Sequence, residues 1–342
     1  MANSMERLVA ALQGKPSDRI PVFCNLLDQG AKELGISLEE YYTNGALVAE
    51  AQLQMRERYG HDNVWSLFYV GKEAELLGCK KIRYAKDGPP NVEDYVIKSY
   101  ADIDKLIVPK DITTHPAFAA QEQCLQILRS EVGGKVPICA YITGSMTLPA
   151  LLMGMEKWLE LLMFGPAEPR DQLLEKCNDF CIQELAAMRA RGVDVLVYSN
   201  PFGSTDIIPL SFFERLSIPW MKRDLAPGGM AGMVYYCGMA RFNRVIEQAK
   251  RELGFSVFYL SPLDDINEGV RLIGDEGLTC GVINDIPLID WSPQQIRDEV
   301  KRIVTAGRKS RKFLFGTGVM PYAISEESIK IMLEAAYEYG RF

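Results

Sequence analysis

The chain has 342 residues, a net charge of -7, 48% hydrophobic and 24% charged residues, the make-up of a globular protein large enough for one big domain or two ordinary ones. An acidic chain with no extended Lys/Arg cluster argues against nucleic acid and anionic membrane as partners. No run of eighteen apolar residues is present, so no transmembrane helix is expected.

In chain order, Ser4–Gln13 reads as a short amphipathic helix with Leu8, Val9 and Leu12 on one face. Ile20–Cys24 is the first buried strand. Leu26–Thr43 is irregular or helical, and Leu47–Tyr59 is a helix stopped by Gly60. Asn63–Val70 reads as the second strand. Cys79–Lys110 is an excursion, a hairpin or pair of short strands about the turn run Asp87-Gly88-Pro89-Pro90. Helix Gln121–Glu131 leads to a third strand, Val136–Thr143. Helices Met155–Phe164 and Glu168–Arg191 lead to a fourth, Val193–Tyr198, and Ser211–Asp224 is again helical. Met233–Cys237 is the fifth strand, Phe255–Leu260 the sixth and Leu278–Asn284 the seventh, with helices Arg241–Leu253 and Asp265–Gly274 between them. Ser292 caps a helix with Pro293 at its first position. Lys312–Phe315 is the eighth strand, closed by Gly316-Thr317-Gly318, and Ser325–Tyr339 is the last helix.

Eight short apolar strands alternating with helices point to an α/β protein, a (β/α)8 TIM barrel, over residues 1–342 as a single domain. It carries an N-terminal helical extension and the excursion after the second strand. Such a barrel places its site at the C-terminal strand ends. Those ends hold Asn25, Lys72, Glu73, Glu75, Thr143, Ser145, Asn200, Asp206, Tyr235, Cys237, Ser261, Asn284, Asp285 and Thr317. Alternation in a strand puts Tyr235 and Cys237 on one face, and a phenol and a thiol there suit chemistry as well as packing. Met146, Met153 and Met155 suit an apolar pocket or a core. The chain has two histidines, and His61, before a strand, reads as structural, so the chemistry is expected to do without imidazole. Eight scattered cysteines without a CxxC pair fit a reducing cytoplasm. Met1–Arg7 lacks the apolar core of a signal peptide.

With these elements in place, the chain resembles the uroporphyrinogen decarboxylase superfamily, in its branch of cobamide-dependent methyltransferases. The resemblance spans nearly the whole length. It rests on Leu8-Val9-Ala10-Ala11-Leu12-Gln13-Gly14-Lys15-Pro16-Ser17-Asp18-Arg19-Ile20-Pro21-Val22, Glu73-Ala74-Glu75-Leu76-Leu77-Gly78-Cys79, Tyr141-Ile142-Thr143-Gly144-Ser145-Met146-Thr147-Leu148, Tyr236-Cys237-Gly238 and Gly316-Thr317-Gly318-Val319-Met320-Pro321. The decarboxylases hold tetrapyrrole propionates with an arginine-rich stretch after the first strand. Here Asn25–Ala31 contains no arginine, and Thr317 stands where they carry a histidine. The coenzyme M methyltransferases bind a thiolate-activating zinc through His-x-Cys on the fifth strand and a Cys after the eighth. The matching positions are Tyr235, Cys237 and Thr317, so the usual zinc set is not present. A different zinc site would join Cys237 to Cys280 across the mouth.

What the resemblance then implies is a methyltransferase that moves a methyl group from a small methylated substrate to the cobalamin of a partner corrinoid protein. O-demethylation of an aryl methyl ether is the leading expectation. A methylated amine or thioether donor is the alternative, and a non-catalytic tetrapyrrole-binding barrel the competing class. Tyr235 or a protonated Glu75 would give a proton to the leaving oxygen, with Cys237 beside them as a third catalytic candidate. Asn25, Glu73, Thr143, Met146, Asn200, Asn284 and Thr317 would bind the substrate.

Overall fold

The computed structural model describes residues 2–342. Eight parallel strands form the barrel: β1 Val22–Asn25, β2 Val64–Trp65, β3 Ile138–Thr143, β4 Val195–Ser199, β5 Met233–Tyr236, β6 Val257–Tyr259, β7 Leu278–Ile283 and β8 Phe313–Val319. Their order around the sheet is β1-β8-β7-β6-β5-β4-β3-β2. Each strand is followed by helix on the outside, so both faces are covered and the strand sequences are almost wholly apolar.

β1 and β2 share no ladder, and side chains close the gap. The Asn63 carboxamide accepts from the Cys24 N–H at 2.8 Å and donates to the Cys24 carbonyl at 3.1 Å. Trp65 Nε1 donates to the same carbonyl at 2.8 Å. β2 is therefore much shorter than the apolar run Asn63–Val70 suggests. Beyond Trp65 the chain bends over the barrel top, and Leu67 and Tyr69 are buried there without pairing. β8, by contrast, runs on through Gly316 and Gly318.

The excursion is an antiparallel ribbon, Ile82–Arg83 against Asn91–Val92, around the expected turn. The N-terminal helix Ser4–Leu12 has Asn3 as its cap and Glu6 closing a capping box. It lies under the barrel. There Asp62 gathers it to β1, accepting from Ser4 Oγ at 2.9 Å, Arg7 Nη1 at 3.0 Å, the Val22 N–H at 2.9 Å and the Arg19 guanidinium. His61 is fully buried beside it, and burial pushes its imidazole down to about 4. Both of its ring nitrogens are buried without a hydrogen-bond partner. Among the described residues, no helix is long and apolar enough to cross a membrane.

Candidate active site at the barrel mouth

The side chains that fill the upper barrel are aromatic. Trp65 of β2 stacks on Tyr141 of β3 at 4.8 Å between centroids, and Phe68 packs on the same ring at 4.7 Å. Tyr141 meets Tyr236 of β5 at 5.7 Å, and Tyr236 meets Tyr259 of β6 edge-on at 5.5 Å. Such pairs stabilise beyond their buried area, so this floor is rigid. Its hydroxyls differ in use. Tyr259 donates to the Thr317 carbonyl at 2.5 Å. Tyr141 accepts from Asn25 Nδ2. Tyr236, the most exposed of the three at 9%, has its hydroxyl beside that of Tyr141.

Asp285 stands over this floor. Asn284 accepts from the Ile286 N–H at 3.3 Å in an Asx turn, and Pro287–Ile289 continues as one 3-10 turn. That turn commits Asn284 to the backbone and leaves Asp285 to face the mouth. Its carboxyl is 3% exposed, and Oδ2 is buried with no hydrogen-bond partner. Burial pushes it up to about 7, opposed only by its own backbone N–H. Tyr236 is pushed up first by burial and then by the charge of Asp285. The carboxyl packs on β8 so closely that a Cβ at Gly318 would lie 2.7 Å from Oδ2. A buried carboxyl near 7 at the C-terminal end of a barrel strand has the poise of a general acid or base.

Other polar groups at the strand ends fall into separate pairs. Thr143 donates to Glu73 Oε1 at 2.6 Å, and Glu73 Oε2 is buried and unpartnered. Burial raises the Glu73 carboxyl. Glu184, on the long helix Ala167–Ala190, is raised well above the usual range by burial and then by the charge of Glu73. Asn200 accepts from Thr147 Oγ1 at 2.6 Å and keeps a buried, unpartnered Nδ2. Asn25 likewise keeps a free Oδ1. Buried polar atoms without partners are uncommon, and each calls for a cause. Thr317 has none to spare: its hydroxyl accepts from the Asn25 N–H and donates to the Gly318 carbonyl, both at 2.9 Å. Met146 is fully buried and its carbonyl takes the Trp158 indole N–H at 2.9 Å, so it is core.

Four expectations need correction. Tyr235 faces the helical layer, not the barrel axis. Its ring packs edge-on against Phe242 and Phe255, at 5.2 and 5.0 Å, and its hydroxyl proton is spent on the Gly203 carbonyl. Cys237 lies beside Tyr235, and its thiol is pushed well up by burial. Cys280 points into the lower barrel, where its sulfur would sit 2.6 Å from a Cβ on Gly316. The two cysteines therefore do not form a metal site, and no group of three or more His, Cys, Asp or Glu side chains among the described residues converges to hold an ion. Glu75 is not a free acid. Its Oε2 accepts from Lys72 Nζ at 2.9 Å and from the Tyr69 hydroxyl at 2.5 Å.

A family model described as uroporphyrinogen decarboxylase (URO-D) matches residues 3–339. The chain is 25% identical over 339 residues to the methylcobamide:CoM methyltransferase MtaA of Methanosarcina barkeri, covering 97% of each. It is 23% identical over 311 residues to the methylcobamide:CoM methyltransferase MtbA of Methanosarcina acetivorans, covering 88% of this chain and 89% of that one. It is 23% identical over 354 residues to the uroporphyrinogen decarboxylase of Trichlorobacter lovleyi, covering 98% and 99%. Among solved structures, a methyltransferase from Methanosarcina mazei superposes with a TM-score of 0.85 at 22% identity over 99% of each chain.

Proposed function

The chain belongs to the uroporphyrinogen decarboxylase (URO-D) family, and we propose that within it the protein is a corrinoid-dependent methyltransferase whose methyl donor is an aryl methyl ether. The observation that carries this reading is Asp285, a buried and unpartnered carboxyl near 7 above an aromatic floor. The relatives named as methylcobamide:CoM methyltransferases support the reaction class. The stretch Asn25–Ala31 holds no arginine to pair with tetrapyrrole carboxylates, which weighs against decarboxylation. The residues at the zinc positions, Tyr235, Cys237 and Thr317, do not fit that metal.

The corrinoid, carried by a partner protein, supplies the nucleophile that accepts the methyl group. Val70, Met239, Leu263 and Ile286 follow the ends of β2, β5, β6 and β7 and are exposed. They give the mouth an apolar rim for that partner. Inside it, Phe68 and Tyr236 offer apolar ring surface to an arene. As the bond between methyl carbon and ether oxygen breaks, its electron pair stays on the oxygen. Protonated Asp285 gives that oxygen its proton, so the leaving group departs as a phenol and not as a phenolate. The free Asn25 Oδ1 and the Tyr236 hydroxyl are the polar groups available to orient the donor.

A second reading, a methylated amine, is favoured by one fact: no cation acts on Asp285. As a carboxylate it would then pair with a substrate ammonium. The two donors require opposite protonation states. The test is transfer to a chemically reduced corrinoid, followed by absorbance, with aryl ethers and methylated amines across pH 6 to 9. Ether turnover that falls as pH rises through about 7 supports the first reading. Amine turnover that rises over the same range supports the second. Transfer from neither, with corrinoid proteins supplied, defeats both.

A further inference from the structure

The opposite end of the barrel holds a space that the reaction at the mouth does not use. A cavity of about 260 Å³ runs upward from the bottom rim, between the N-terminal helix and strands β4 to β6. TIM barrels fill this region with layers of bulky branched side chains. Here Val195, Val197, Val234 and Val257 line a space that stays open. Protein interiors are packed to crystal density, and a void costs stability in proportion to its volume. A space of this size is therefore a feature to be explained.

The entrance lies between Leu12, which is 41% exposed, and the segment Met230–Gly232. Gly232 has φ +72, and a Cβ there would meet the Asp194 carbonyl at 2.5 Å. The rim keeps its course only without a side chain at that position. The roof is made by Trp65, Tyr259 and Phe23. Two thiols, Cys139 and Cys280, complete the wall, and both are fully buried. Lys, Arg and His are missing from the lining. The one acid at the rim, Asp194, is engaged by the Ile138 N–H at 3.0 Å and by Arg129.

We propose that the lower barrel is a binding site for one neutral aromatic molecule of one or two rings. The size fits, since apolar cavities of about 150 Å³ stay dry and take benzene. The chemistry fits as well. Aromatic and sulfur walls favour a π-system over an alkane, and a lining without cations and with Asp194 at the entrance excludes carboxylates. The site reaches the mouth through shared side chains. Trp65 roofs the cavity and stacks on Tyr141 above, and Tyr259 does so against Tyr236. A ring bound below thus rests on the same aromatics that form the floor above. This inference stands apart from the methyl-transfer reading.

Toluene and indole serve as probes, benzoate as the charged control, and thermal unfolding with titration calorimetry as readouts on the full chain. Toluene at ten times its Kd should raise the melting temperature by about 2 °C, the shift growing with the logarithm of its concentration, with one molecule bound per chain by calorimetry, and benzoate should not. Leu12→Trp covers the entrance from an exposed position, and Val257→Phe fills the interior. Each variant should abolish the shift while keeping the wild-type circular dichroism. Should Val257→Phe fail to fold, Leu12→Trp decides alone. No shift in the wild type, or an equal shift in Leu12→Trp, overturns the proposal.

Discussion

Two buried aspartates mark the two ends of this barrel, and their surroundings are opposite. Asp62, beneath β1 and β2, accepts from Ser4, Arg7, Arg19 and the Val22 N–H, and its side chain is wholly shielded from solvent. Asp285, above β7, is almost as buried, yet Oδ2 has no donor and no cation acts on the group. A buried carboxylate with every lone pair engaged is a rivet, and removing it strands its partners. A buried carboxyl left alone costs the fold stability and persists where its poise is used. The Asp62 network beneath β1 and β2 is organised for stability and the Asp285 carboxyl at the mouth for chemistry.

The comparison can be broken most forcefully at the rivet. Asp62→Asn should cost roughly 3–5 kcal/mol in denaturant unfolding, since Arg7 and Arg19 would be left against a neutral amide, while transfer per folded molecule stays within twofold. Asp285→Asn should do the reverse. A carboxyl raised from 3.8 to about 7 contributes its full stability only at low pH and loses it as pH rises through that window. The variant, which does not titrate, should therefore be more stable than the parent at pH 8, by on the order of 4 kcal/mol. Its methyl-transfer rate should fall by about 10²–10⁴. A destabilised Asp285→Asn would place that residue with Asp62 and erase the distinction.

Neighbouring tyrosines on β5 sharpen it. Tyr236→Phe, which alters the floor, should lower transfer by about tenfold with little change in stability, because its hydroxyl lies at the mouth. Tyr235→Phe should leave turnover within twofold and cost about 1 kcal/mol, the loss of its bond to Gly203. Glu75→Gln should cost about 1 kcal/mol, since the Glu75 side chain is 30% exposed and the amide oxygen can still accept from Tyr69 and from the buried Lys72.

These contrasts also show what was readable before the structure. The eight strands, the ribbon about Asp87–Pro90 and the cap Ser292 were legible because apolar runs and turn residues are local signals. The phase of β5 was not. Met233-Val234-Tyr235-Tyr236 carries an aromatic on both faces, so alternation alone cannot say which ring turns inward, and Tyr236 does. The same ambiguity brought Cys237 and Cys280 together on paper. Asp285 stood among the strand-end residues beside Asn284, and only the Asx turn decides which of the two faces the mouth. Glu184 carried no local signal, as its relation to Glu73 arises from packing between the long helix Ala167–Ala190 and the short helix Lys72–Leu76.

The central claim is that Asp285 is the acid of a methyl-transfer site, and the pH–rate profile of the wild type against Asp285→Asn, with an aryl methyl ether and a reduced corrinoid, tests it most directly. The account predicts a wild-type rate that falls above about pH 7 and a variant that is slow and flat across the range. A variant with the wild-type rate and the same alkaline fall would contradict it.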